Sequence, residues 1–225
     1  MRVLFEDRDL IVVVKPAGVL SEEAGNKASM PLLLRAYLEE CGGRAPKIYT
    51  VHRLDRDVGG VMVFAKNAKT ASELATAIAE RRMEKEYLAV LCGAPEKEED
   101  VLEDLLFRDA KSGKTYVVDR ERKGVRDAKL SYKLLETVRE GDKTLSLVRV
   151  KLYTGRTHQI RVQFASRKLP LYGDGRYGGK VPGALPALFS TRLALPGRFD
   201  CAAKPEDYPF SLFGELRLTE TPPRT

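Results

Sequence analysis

The residues best suited to chemistry lie in the segment His52-Arg53-Leu54-Asp55-Arg56-Asp57. It sets one carboxylate, Asp55, between two arginines just before Val58-Gly59-Gly60 and the apolar run Val61-Met62-Val63-Phe64-Ala65. A second block, Tyr153-Thr154-Gly155-Arg156-Thr157-His158-Gln159-Ile160-Arg161-Val162-Gln163-Phe164, follows about a hundred positions later. An acid between arginines is ordinarily a surface ion pair, worth ~0–1 kcal/mol. On the floor of a cleft, a cation within about 4–6 Å would lower its pKa by roughly 1–3 units, leaving a carboxylate fit to attack an anomeric carbon. Glycoside hydrolases add a second carboxyl as acid. Asp57 is tethered too close in sequence to flank a substrate freely, which disfavours a hydrolase. The only two histidines, His52 and His158, fall one in each block, with no cluster of metal-ligating residues around either. Both are read as structural hydrogen-bonding groups rather than proton carriers.

The elements that must position these residues are short. Arg2–Glu6 and Leu10–Val14 read as a hairpin across Asp7-Arg8-Asp9. Lys15-Pro16-Ala17-Gly18 ends the second strand, and a helix opens at Ser29-Met30-Pro31 and runs to Glu40, stopped by Gly42-Gly43. Val61–Ala65 reads as a buried strand. Asn67 is an N-cap for a helix to about Arg82, with Leu74 and Ile78 on one face. Lys85–Leu91 is a strand, the acidic run Glu96–Asp104 an exposed connection, and the polar stretch Lys111–Lys123 a hairpin. Ala128–Thr137 and Leu145–Tyr153 are strands, the latter with Ser146 outward. Thr157–Arg167 is a short helix, Gly173–Pro186 a loop at the site, and Ala187–Leu195 the last strand. Many strands, few helices and short connections predict an α+β fold: one mixed, mostly antiparallel sheet flanked by helices, with a cleft across it. Neither a repeat nor a linker divides the 225 residues, which are read as one domain.

No apolar run approaches the ~20 residues of a membrane helix. The start, Met1-Arg2-Val3-Leu4-Phe5-Glu6-Asp7, turns acidic where a signal peptide would stay apolar. Cys41, Cys92 and Cys201 are odd in number and widely spaced, so a disulfide framework or zinc site is not expected and a cytoplasmic location is. Between Arg149 and Pro182 stand eight basic residues and one acid, a local excess equal to the net charge of +7. Tyr153, Phe164, Tyr172 and Tyr177 are interleaved with them. Cations for phosphates and rings for bases are the combination that single-stranded RNA uses, although a charge cluster alone is more often a solvated face.

Four ordered motifs make the chain resemble the pseudouridine synthases of the large-subunit ribosomal RNA type. Lys15-Pro16-Ala17-Gly18 looks like the family's first motif and His52–Lys66 its second. Lys85-Glu86-Tyr87-Leu88-Ala89-Val90-Leu91-Cys92-Gly93 looks like its tyrosine-bearing strand. Thr154–Arg161, with Pro170–Asp174 and Arg176-Tyr177-Gly178, looks like its third. The match runs from about Leu10 to Leu195. It implies an RNA uridine-to-pseudouridine isomerase in which Asp55 is the nucleophile, Tyr87 stacks on the target base, Arg161 pairs with Asp55 and Leu188 lines the pocket. Arg53 would fill the space of the flipped nucleotide, and Arg56, Arg156 and Lys168 would meet phosphates. Uracil must leave C1′, turn and rejoin through C5, so the chemistry implies no cofactor and no metal. The expected partner of a monomer is ribosomal RNA first and transfer RNA second, with no membrane involved. The alternative is a non-catalytic RNA-binding or ribosome-assembly factor on the same fold.

Four positions depart from the family pattern. Val58-Gly59 stands where Thr-Ser is usual, Gln163 where a histidine is common and Lys168 where a glycine is common. The loss of two hydroxyls and the gain of Gly59 predict a more permissive loop around Asp55. The chain begins within a few residues of the first strand, so the small N-terminal RNA-binding domain of many relatives is not expected.

Overall fold

A computed structural model describes residues 1–25, 27–42 and 46–214. Its strands are β1 (Arg2–Glu6), β2 (Leu10–Lys15), β3 (Tyr49–Thr50), β4 (Gly59–Ala65), β5 (Glu84–Cys92), β6 (Glu99–Arg108), β7 (Thr115–Val118), β8 (Val125–Glu140), β9 (Lys143–Leu152), β10 (Leu188–Leu195) and β11 (Phe199–Ala202). The helices are α1 (Met30–Glu40), α2 (Ala68–Ala79) and α3 (Gln159–Ala165), with a final 3-10 turn at Phe210–Leu212. Asn67 caps α2 as its sequence predicts, its side chain accepting the Thr70 N–H at 2.9 Å. Of the glycines expected to stop α1, Gly42 takes φ +99° and Gly43 lies outside the described residues, as do positions 215–225 of the expected domain.

The strands form one sheet in the order β1-β2-β4-β10-β5-β9-β8-β6-β7, with β11 added beside β10 and β3 beside β4. Every pairing between these strands is antiparallel except that of β4 with β10. The fold is therefore α+β with a mixed, mostly antiparallel sheet. Apolar side chains bury both faces of its centre: all of β4 is buried, and Ile11, Val13, Phe64, Leu91, Val148 and Phe164 meet in the largest cluster. Gly60 sets the parallel contact. At φ +127° it approaches β10 so closely that a Cβ there would stand 2.3 Å from the Ser190 carbonyl oxygen. Only glycine permits both the conformation and the approach.

Two expectations fail for identifiable reasons. The acidic run is not a connection, because Glu99–Arg108 forms β6. Only its Leu102 and Leu106 are buried, while Glu99 and Glu103 lie opposite Lys133 and Lys129 of β8 and form ion pairs with them. Cross-strand charge pairing lets an acidic segment lie in a sheet. β7 then folds back on β6, so the hairpin expected at 111–123 turns one element earlier. Ser146 is not outward either. It is fully buried on β9, with its hydroxyl 3.0 Å from that of Thr137. The centre of the sheet is covered on both sides, so alternation of polar and apolar residues no longer reports solvent.

Candidate active site

Asp55 sits in a tight turn before β4, where the Val58 N–H donates to the Asp55 carbonyl at 3.1 Å. The first motif holds that turn from beneath. Lys15 is completely buried, and its ammonium donates to the carbonyl oxygens of Val19 at 2.7 Å, Arg56 at 2.9 Å and Pro16 at 3.0 Å. Ser21 adds a reciprocal pair with the Leu54 backbone at 2.8 and 3.0 Å. Burial lowers the Lys15 pKa to about 8, opposed by the charges of Asp57 and Asp55. Three carbonyl acceptors and two nearby carboxylates make a buried cation tenable here.

α3 delivers the opposing charge. Arg161 Nη1 donates to Asp55 Oδ2 at 2.7 Å, while Nε and Nη2 grip Asp174 Oδ2 and Oδ1 at 2.7 and 2.9 Å. Asp174 is fully buried, whereas the Asp55 side chain keeps a quarter of its surface exposed. One planar guanidinium thus joins a structural carboxylate to an accessible one, using donors in fixed directions. Burial alone would lower the Arg161 pKa, but Asp174 and then Asp55 outweigh it and raise it, so the group stays charged. The Arg161 guanidinium also lies 5.2 Å from the centre of the Tyr177 ring.

Tyr87 and Leu188 belong to the apolar cluster that also holds Leu54, Val58 and Ile160, on the neighbouring strands β5 and β10. Tyr87 stands opposite Ser190, which is itself the parallel partner of Gly60. Burial, followed by the negative charge of Asp55, pushes the Tyr87 pKa well up, with a hydrogen bond to Ser190 acting the other way. It remains a neutral phenol at any physiological pH. Asp55, Arg161, Tyr87 and Leu188, all named from sequence, are therefore gathered by three strands and one helix.

The remaining arginines are spread around this group. Arg53 pairs with Glu22 at 2.8 Å and Arg56 with Asp57 at 2.9 Å, and all four side chains are substantially exposed. Arg156 turns towards β8, its Nε donating to the Asp127 carbonyl at 2.8 Å. Lys168 follows α3 with φ +61°, a conformation that a glycine there would adopt freely. Gln163 is fully buried and bonds the Leu102 carbonyl and Asp104, so it fastens α3 to β6. At the Val58-Gly59 departure both residues are buried. Gly59 begins a wholly buried strand, and Val58 packs in the core. Among the described residues no group of three His, Cys, Asp or Glu is placed to hold a metal ion, and no helix is long and apolar enough to cross a membrane.

Residues 9–166 match the family model described as RNA pseudouridylate synthase. The chain belongs to this family. An uncharacterized RNA pseudouridine synthase of Zymomonas mobilis is 40% identical over 79% of this chain and 78% of its own length. The ribosomal large subunit pseudouridine synthase D of Nitrosomonas europaea is 34% identical, over 99% of this chain and 62% of its own length. An uncharacterized RNA pseudouridine synthase of Aquifex aeolicus is 33% identical over 80% of this chain, which spans 57% of that relative. Among solved structures, human RNA pseudouridylate synthase domain containing 1 superposes with a TM-score of 0.77. It is 23% identical, over 91% of this chain and 83% of its own, a likeness of fold.

Within this pseudouridylate synthase framework, three groups around Asp55 carry no role in the sequence reading, Lys15, Asp174 and Tyr177, and a fourth, His158, carries only that of a structural hydrogen-bonding group. Asp174 and Tyr177 lie in a Gly-rich loop that reads as a site loop but gives no sign that its one acid turns inward. His158 Nε2 stands 3.8 Å from Asp55 Oδ2, and its Nδ1 stands 2.9 Å from the Tyr177 hydroxyl. His52 is different. It accepts the Val63 N–H at 3.2 Å through Nε2 and serves the sheet, as expected.

Proposed function

We propose that this protein is an RNA pseudouridine synthase, with the described chain acting as one catalytic unit and Asp55 as the group that attacks the ribose of the target uridine. The observation that carries this reading is the pairing of an accessible carboxylate with a buried arginine beside a neutral, buried tyrosine. The reaction breaks the N1–C1′ bond, forms a C5–C1′ bond, releases the C5 proton and places a proton from solvent on N1. No electron or oxygen atom enters the balance, so neither a redox cofactor nor a metal is required by it. One carboxylate at the sugar and a pocket that retains uracil suffice.

In this reading the target base leaves its stack, at a cost of a few kcal/mol, and lies against Tyr87 and Leu188. Arg161 steers Asp55, with Asp174 fixing the guanidinium. Arg53 occupies the space of the flipped nucleotide, and Arg56, Arg156 and Lys168 meet phosphates. Relatives named as synthases of the large ribosomal subunit make ribosomal RNA the first substrate to try and transfer RNA the second. The protein is taken as a monomer acting in the cytoplasm. The test is release of tritium from RNA labelled at uridine C5, for wild type and Asp55→Ala. Release by wild type alone supports the assignment. Tight RNA binding without release from either pool would replace it with a non-catalytic RNA-binding factor.

A further inference from the structure

A chain of hydrogen bonds runs from the backbone of β7 to His158, whose ring faces the Asp55 carboxylate. The Thr115 N–H donates to the Tyr177 hydroxyl oxygen at 2.9 Å, and that oxygen lies 2.9 Å from His158 Nδ1. Three further contacts fix the parts. The Thr115 hydroxyl donates to the Thr157 carbonyl at 3.0 Å, tying β7 to the residue before His158. The Tyr177 ring has two cations near its centre, the Arg161 guanidinium at 5.2 Å and the Lys114 ammonium at 5.3 Å. His158 itself adopts φ +55°, in the left-handed region where a non-glycine residue is uncommon.

Proton counting along this chain selects one form of the imidazole. The Tyr177 oxygen already accepts from Thr115. If it also accepted from a protonated Nδ1, its own proton would be left with the Thr115 hydroxyl, and a bare Nε2 would turn its lone pair to the Asp55 carboxylate. The arrangement that turns a donor rather than a lone pair to Asp55 has Tyr177 donating to a bare Nδ1, which leaves the proton on Nε2. Burial favours the same uncharged ring, with Asp55 acting the other way and Arg161 and Arg176 reinforcing burial. Nε2–H then faces Asp55 Oδ2 at 3.8 Å, too far for a hydrogen bond and next to where a sugar must dock. Arg161 is also on Oδ2, and no hydrogen bond reaches Oδ1 among the described residues. Oδ1 is thus left available to attack a sugar carbon.

We infer that His158, held as the Nε2–H tautomer by Thr115 and Tyr177, donates a hydrogen bond to an oxygen of the target ribose lying against Asp55. The inference rests on the synthase reading above and adds a sugar-contacting group to it. It also gives the strained backbone a purpose, since φ +55° turns the ring to the carboxylate. Because β7 supplies the first donor, the edge of the sheet takes part in setting the tautomer.

Two measurements test it. With only two histidines in the chain, a two-bond proton–nitrogen spectrum of protein labelled with ¹⁵N-histidine resolves both rings. Loss of one set of signals in His158→Asn assigns them. The expected pattern for His158 is a proton on Nε2 and an acceptor Nδ1, disturbed by Tyr177→Phe; a proton on Nδ1 overturns the inference. The second is the single-turnover rate of tritium release. Glutamine places its amide near Nε2, and asparagine places its own near Nδ1. Asparagine is, however, the better residue for a left-handed backbone. A donor role therefore ranks His158→Gln above His158→Asn, with Asn slowed roughly tenfold to a hundredfold and RNA affinity unchanged. A purely backbone role ranks them in reverse, and that order, or wild-type rates in both variants, overturns the inference. Absence of release by wild type would instead remove the synthase reading and this inference with it.

Discussion

Arg161 and Asp55 lie 106 positions apart in sequence, and their side chains meet at 2.7 Å. The contact depends on the rest of the guanidinium being occupied, since two of its nitrogens are committed to Asp174. An ammonium cannot satisfy both carboxylates in these directions. Arg161→Lys is therefore expected to lower the rate of tritium release by a factor of about 100 or more, the size of effect seen when one preorganised charge-stabilising donor is lost. A rate within threefold of wild type would show that charge alone matters, not the fork.

The two carboxylates on that guanidinium should respond differently to the same substitution. Asp174 is fully buried and Asp55 is a quarter exposed. Asp174→Asn leaves a buried guanidinium short of one partner and is expected to cost about 3–5 kcal/mol of stability. Asp55→Asn is expected to abolish turnover while shifting stability by about 1 kcal/mol or less, because solvent screens that site. Urea unfolding of both variants beside the tritium assay checks this, and equal destabilisation would contradict the division of labour.

Gly59 and Gly60 are neighbours with opposite tolerances. Gly60 has φ +127° and the Ser190 backbone 2.3 Å from any added Cβ, so Gly60→Ala is expected to cost at least about 3 kcal/mol, by backbone strain plus separation of β4 from β10. At Gly59 a Cβ would meet the Lys15 carbonyl at 3.3 Å and the Phe189 ring at 3.4 Å, a fit needing only a small adjustment. Gly59→Ser, which restores the usual residue type of the family pattern, is expected to change stability by less than about 1 kcal/mol. Comparable losses at both positions would mean that the strand, rather than the crossing point, is the sensitive feature.

What could be read in the sequence follows from how local each feature is. The Asn67 cap, the apolar β4 and the hairpin at Asp7 are specified by neighbours in the chain and come out as expected. Asp55, Tyr87, Arg161 and Leu188 were named through motif resemblance, which stands in for spatial information. β6 was missed because its acids are balanced by lysines on another strand, a pairing invisible along one segment. Ser146 was misplaced because both faces of the sheet centre are covered. Lys15 and Asp174 look like ordinary surface residues until the carbonyls and guanidinium that neutralise their burial are brought to them.

His52 ties stability to pH with a definite sign. It accepts the Val63 N–H, which requires an unprotonated Nε2, and burial, helped by the charge of Lys85, lowers its pKa from 6.5 to about 3. Between those values the unfolded chain binds a proton that the folded protein does not, so acid favours unfolding. The contribution is complete above pH 6.5 and is lost progressively as pH falls towards 3. From pH 7 to pH 5 the loss is expected to be about 2 kcal/mol, at 1.36 kcal/mol per pH unit below 6.5. His52→Gln retains a carbonyl acceptor but does not titrate. It should be less stable than wild type at pH 7 and flatter between pH 7 and 5, with His158 contributing equally to both proteins. Parallel curves for the two proteins would place the acid sensitivity elsewhere in the chain.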